Sequence, residues 1–241
     1  MAVSAGSTEP APPLALFSLG NLVIGTGAFI LAGILADISA DLRVGVPAVG
    51  QAMTAYALST AVLAPLLLVL TLLYLTATFT MFGYIGPVLQ ALGPMTLGQV
   101  SFALLAVGVS GVIGTLIGGW ATDRFGPART LTMQLTVFTL AQIAVPFTSG
   151  SFFAVVLALL VWGIAGFGMM APQQARLAAA SPANAPLLLS LNTSMLYFGT
   201  ALGSIVGGAA SSQLGFGHLA WAGVPFQLLG LLTLVVVRKK R

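Results

Sequence analysis

A chain of 241 residues in which 58% are hydrophobic and only 5% are charged cannot fold as a water-soluble domain, because such domains carry charge on about a quarter of their residues. With a mean hydropathy of +1.07 and apolar runs of about 20 residues or more that lack in/out alternation, it reads as all-α and polytopic in a membrane, not as a barrel. The net charge of +4 is accounted for by membrane orientation, so no nucleic-acid partner follows from it. Zero cysteines exclude disulfides and thiolate metal sites, and one histidine, His218, cannot build a histidine cluster. No metal and no cofactor is therefore expected.

The chain begins with MAVSAGSTEPAPP, residues 1–13, a short arm expected to be disordered. The apolar run after it is too long, and too poor in basic flank, for a cleaved signal peptide. Breaks at Pro, Gly and charge then predict eight spans, at about 14–36, 47–68, 70–91, 97–121, 129–148, 151–175, 186–212 and 218–237. The connections after the first, fourth and sixth are DISADLRVGVP, ATDRFGPART and RLAAASPANAP. With the C-terminus cytoplasmic, Arg124, Arg129, Arg176, Arg238, Lys239, Lys240 and Arg241 lie inside and only Arg43 outside, seven against one.

The uncharged stretch from Pro47 to Leu92 is the awkward element. As one helix it would run roughly 70 Å, about twice the hydrocarbon thickness. Either it crosses twice, with a turn between Leu66 and Tyr74 aided by Pro65, or it crosses once with a long buried irregular piece. Length favours two crossings, while charge slightly favours one. On the first reading Thr71 sits at the cytoplasmic surface.

Four stretches carry a resemblance: residues 20–67, beginning GNLVIGTGAFILAG; GGWATDRFGPART, 118–130; WGIAGFGMMAPQQARLAAASP, 162–182; and LNTSMLYFGTALGSIVGG, 191–208. Together they resemble the major facilitator superfamily, in particular its drug and sugar efflux branch of proton-linked antiporters. Residues 14–68 look like the first two helices of that twelve-helix fold, and 69–241 like its second six-helix bundle. The resemblance implies a shortened major facilitator fold of about eight helices, lacking helices three to six.

Gly119, Asp123, Arg124, Gly126 and Arg129 match the family's cytoplasmic gating loop. In that role Gly119 would let two helices approach, Gly126 would permit the turn, and Asp123 would cap the next helix or pair with an arginine. Glycines 199, 203 and 207, and glycines 114 and 118, form small-residue ridges suited to helix packing. The resemblance places the cavity against the first, third and sixth spans, making Asn21, Thr26, Tyr74, Thr78, Tyr84 and Gln173 the candidate substrate contacts, with Asn192 and Tyr197 secondary. One departure stands out. Where relatives often carry an acid after Gly25-Thr-Gly27, this chain has Ala28, and no predicted span core holds Asp, Glu, Lys, Arg or His. Proton coupling needs such a group.

No H-E-x-x-H, G-x-S-x-G or phosphate-binding glycine loop is present, so no catalytic site is expected. The resemblance implies a secondary transporter exporting small organic molecules, drug or sugar-like, by proton antiport from the inner membrane. Its partners would be the bilayer, a small-molecule substrate, protons and possible second copies of the chain. A non-transporting remnant or binding subunit is the alternative.

Overall fold

The computed structural model describes residues 67–239, all within the second of the two compact units into which the chain divides, Thr60–Arg241. Only helices occur among the described residues. They are α1 (Leu67–Phe82), α2 (Ile85–Leu92), α3 (Leu97–Phe125), α4 (Pro127–Ala144), α5 (Phe152–Phe167), α6 (Met170–Ala180), α7 (Ala185–Leu214) and α8 (Leu219–Lys239). Helices α1 and α2 meet at a 55° bend, the geometry of a broken span or a re-entrant loop, while α5 and α6 form a single span over Phe152–Ala180. With α3, α4 and α8 they have the length and apolarity to cross a bilayer. At 30 residues α7 has the length as well. The protein is a multi-pass membrane helix bundle.

Local chemistry sets the helix ends. Thr96 caps α3 by accepting from the Gln99 N–H while Gln99 reaches back to Thr96, two orphan donors met reciprocally. Ser151 caps α5 through the Ala154 N–H. The turn from α3 to α4 is a single residue, Gly126, held at φ +80°, a conformation costly for any residue with a Cβ. Pro127 then starts α4, where its missing N–H is no loss. The Thr130 hydroxyl closes the corner, shared between the carbonyls of Ala121 and Gly126 at 2.9 Å each.

Glycine contacts bring the helices together. A Cβ on Gly114 or Gly118 would overlap the Ile164 or Gly168 carbonyl, so α3 lies directly on the α5–α6 backbone. On α7, Gly199, Gly203 and Gly207 lie against α1, where a Cβ at Gly203 would sit 2.6 Å from the Thr76 oxygen. Both ridges gain dispersion contact in a medium without hydrophobic drive between helices.

Several expectations need correction. Residues 67–74 do not turn: they are the first two turns of α1, so any reversal lies before Leu67. The two spans predicted at 14–36 and 47–68 fall outside the described residues, apart from the last two positions, which belong to α1. Thr71 is fully buried rather than at a surface. The span predicted at 70–91 is broken at Gly83–Tyr84. Asp123 and Arg124 belong to the last turn of α3, not to a loop. Arg176, expected in a connection, is on α6 and buried. Its helix continues because nothing in RLAAA stops it before Ser181-Pro182.

Candidate functional site

A partly open cavity of about 220 Å³ lies where α1, α5, α6 and α7 converge, lined by Tyr74, Thr78, Trp162, Phe167, Met170 and Leu196 among others. Its walls are aromatic and soft. Trp162 stacks on Phe82 at 6.0 Å and meets Phe167 edge-on at 6.4 Å. The Tyr74 hydroxyl has only the Met170 sulfur, at 4.0 Å, as a side-chain partner among the described residues, a weak acceptor at that range. Thr78 donates back to the Tyr74 carbonyl at 2.7 Å, which spends its proton and leaves its oxygen able to accept.

Trp162 is fixed from behind. Its ring N–H donates to Gln142 Oε1 at 2.9 Å, and the same oxygen accepts from Gln227 Nε2 at 2.7 Å. Gln142 Nε2 donates to the carbonyls of Ala77 (3.2 Å) and Ala220 (2.9 Å). One amide on α4 thus joins α1, α5 and α8 and sets the plane of the cavity's largest ring.

One helical turn from the cavity, on the same three helices, is a second polar cluster. Thr71 precedes Tyr74, Gln173 follows Met170, and Asn192 precedes Leu196. The Thr71 hydroxyl donates to Asn192 Oδ1 at 2.5 Å, and Gln173 Nε2 donates to Thr71 Oγ1 at 3.0 Å and to the Leu67 carbonyl at 2.7 Å. Gln173 Oε1 is buried without a partner, and the buried Arg176 lies one turn further along α6. Thr, Asn and Gln bonded across helices in this way hold the helices together.

Of the six predicted substrate contacts, the structure brings Tyr74 and Thr78 together in the cavity wall and puts Gln173 in the adjoining polar cluster. Tyr84 is elsewhere. It sits at the α1–α2 bend, donates to the Ser204 carbonyl at 2.8 Å and packs on Gly207, so its work is to tie α7 to the bend. Asn21 and Thr26 lie outside the described residues. Asn192 belongs to the polar cluster, whereas Tyr197 is 69% exposed on the outer face of α7. Trp162, Gln142 and Gln227 were not singled out as site residues in the sequence, and Thr71 was placed at a turn. The signal available was a lone amide or indole inside an apolar run.

The predicted gating residues cluster at the α3–α4 corner, with altered roles. Gly126 makes the turn, as expected. A Cβ on Gly119 would meet nothing within 4 Å, so the close approach belongs to its neighbour Gly118. Asp123 does not cap α4, whose N-cap is Gly126 with no side-chain bond, and it has no ion pair among the described residues. Arg124 stands in the last turn of α3, where the helix dipole favours a cation. Arg129 lies over the Phe125 ring at 5.6 Å.

An aromatic cavity within a helix bundle and a basic corner between two spans mark a polytopic membrane protein. Residues 66–241 match the Major Facilitator Superfamily, and the chain belongs to that family, one of transporters and not of enzymes. The chain is 32% identical over 175 residues to the inner membrane transport protein YdhP of Escherichia coli (strain K12), covering 72% of this chain and 45% of that protein. It is 25% identical over 168 residues to the uncharacterized MFS-type transporter YbcL of Bacillus subtilis, 70% of this chain and 43% of that one. A third relative, named "Probable sugar efflux transporter", from Mannheimia succiniciproducens, is 25% identical over 169 residues, 70% of this chain and 42% of its own length. The chain spans less than half the length of these three relatives.

Proposed function

We propose that this chain is the C-terminal bundle, with part of the N-terminal one, of a secondary transporter that exports a small organic molecule, drug or sugar-like, in exchange for protons. The observation that carries the reading is the cavity of about 220 Å³ between α1, α5, α6 and α7, with its polar cluster one turn away. An aromatic wall with few convergent polar groups suits an uncharged or amphipathic solute. The name of the Mannheimia relative adds a sugar to the candidates. Among the described residues no carboxylate lies in a span interior, so the proton exchange rests on the resemblance to proton-linked antiporters. The C-terminus is cytoplasmic on this reading, and a cysteine replacing exposed Ala128 is labelled only from that side.

The test is reconstitution in liposomes with an imposed pH gradient. Solute leaves against its own gradient when the gradient is present and stops when an ionophore collapses it. Thr78→Leu, which fills the cavity, lowers the rate at least tenfold while the melting temperature holds. Gradient-independent behaviour of the parent protein overturns the reading.

If helices three to six are lacking, as the resemblance implies, a second arrangement of the same function has two copies assemble, each supplying the other's missing wall. The alternative is a subunit that binds solute in the cavity without moving it. Solute binding that Thr78→Leu abolishes, with no gradient-driven flux, identifies the latter.

A further inference from the structure

The residues of the central cavity that keep free surface are Phe79, Phe167, Met170 and Leu196, and all four are apolar. The wall's two hydroxyls, on Tyr74 and Thr78, are only 4% and 7% exposed. Both protons are directed within the protein, to the Met170 sulfur and to the Tyr74 carbonyl. Among the described residues none that lines the cavity is charged. A solute there meets two phenyl rings, a polarisable sulfur and a branched alkyl group, and very little that donates or accepts a hydrogen bond. Ring–ring contacts, and a thioether beside a ring, favour an aromatic guest beyond the area it buries. Size follows from volume. A dry apolar cavity of about 150 Å³ holds one benzene ring, so the partly open space of about 220 Å³ suits two fused rings.

We propose that the solute this cavity takes is a neutral, flat aromatic molecule of about two fused rings, and that sugars are refused. The proposal rests on the proposed function in one respect, that solute binds in this cavity. A sugar carries a hydroxyl on nearly every carbon, and against this wall most of them lose water and gain no partner. Each hydroxyl stranded in that way costs about tenfold in affinity. A charged ring system is refused for a related reason, since no opposite charge lines the wall to replace its hydration.

The experiment measures binding of radiolabelled naphthalene to the full chain in nanodiscs by equilibrium dialysis, with uptake by empty nanodiscs subtracted and no pH gradient imposed. Saturable binding is expected. Naphthalene competes about fivefold better than decalin, its saturated counterpart, once each is corrected for partition into lipid. Glucose and xylose do not compete at millimolar concentration, and 2-naphthalenesulfonate competes at least tenfold less well than naphthalene. Leu196→Trp fills the cavity from α7 and abolishes saturable binding; if it fails to fold, Met170→Trp fills the same space from α6. Phe167→Leu removes a ring and brings naphthalene and decalin close to parity. Absence of saturable binding, decalin or the sulfonate matching naphthalene, competition by either sugar, or binding that survives the filling variant each overturn the proposal. Gradient-driven export of glucose that Thr78→Leu slows overturns it too, while leaving the transport reading intact. Naphthalene binding that the filling variant abolishes, without gradient-driven flux of any solute, supports the proposal and overturns transport instead.

Discussion

The side-chain amide of Gln142 has two donor hydrogens and two acceptor lone pairs, and the bundle uses all four: Ala77 O, Ala220 O, Trp162 Nε1 and Gln227 Nε2. Replacing it by leucine keeps volume but leaves an indole N–H and an amide N–H buried without partners. Each interhelical bond in a membrane protein is worth modestly under a kilocalorie on average, while each stranded donor costs about 1–3 kcal/mol. Gln142→Leu is therefore expected to destabilise by about 2–4 kcal/mol, read as a lower melting temperature in detergent, and to loosen Trp162, read as a red-shifted, broader tryptophan emission. Gln134→Leu, which strands nothing, is the control and leaves the melting temperature unchanged or raised. The sequence displays these amides plainly as lone polar letters in apolar runs. It does not say that Gln142 and Gln227, 85 positions apart, meet at one indole. Arg176 was misplaced for a related reason. A cation after an apolar run looks like a loop residue, and only the continuation of α6 past it, with burial from its neighbours, puts it inside.

At the scale of helices, the small-residue ridges were legible and their rotational phase was not. Glycines 118 and 119 are adjacent in sequence but about 100° apart around α3. The gating motif directs attention to Gly119, yet the backbone of Gly168 presses on Gly118. Gly118→Ala should thus push α3 off the α5–α6 break and cost about 1–3 kcal/mol. Gly119→Ala should be neutral or slightly favourable through helix propensity. Paired thermal melts check this, and equal effects would mean that α3 is rotated from the position described. The same limit explains the turn expected at residues 66–74. Pro65 and an over-long apolar run argued for a reversal, and Thr71 looked like its polar marker. In the bundle that threonine is polar because it faces Asn192 and Gln173, a pairing across 121 residues that no local pattern carries. The break at Gly83–Tyr84 had its signal in GYIGP, two glycines and a proline within five positions.

For the whole molecule, the question is what completes a bundle that spans less than half of its relatives' length. The outer surface of α7 bears on it. Ser190, Thr193, Ser194 and Tyr197 are all exposed there, a hydroxyl-bearing stripe at helical spacing. Thr193 and Ser194 turn their protons back to the carbonyls of Leu189 (3.1 Å) and Ser190 (3.4 Å), which makes the stripe tolerable in lipid and leaves it smooth enough for another helix to approach. Under the two-copy arrangement, this stripe is where the second chain docks. The chain has no cysteine, so a single Tyr197→Cys variant can form a disulfide only with another copy of itself. In native membranes under mild oxidation it should give a species of twice the chain's mass, while Phe153→Cys, equally exposed on a helix outside the stripe, should not. Linking the two copies should also slow gradient-driven efflux if the faces must separate during the cycle, and reductant should restore it. Equal crosslinking at both positions would reduce the contact to random collision. Crosslinking at neither would put the completing helices in the chain's own first 66 residues or in a different polypeptide, and the two-copy arrangement would be abandoned.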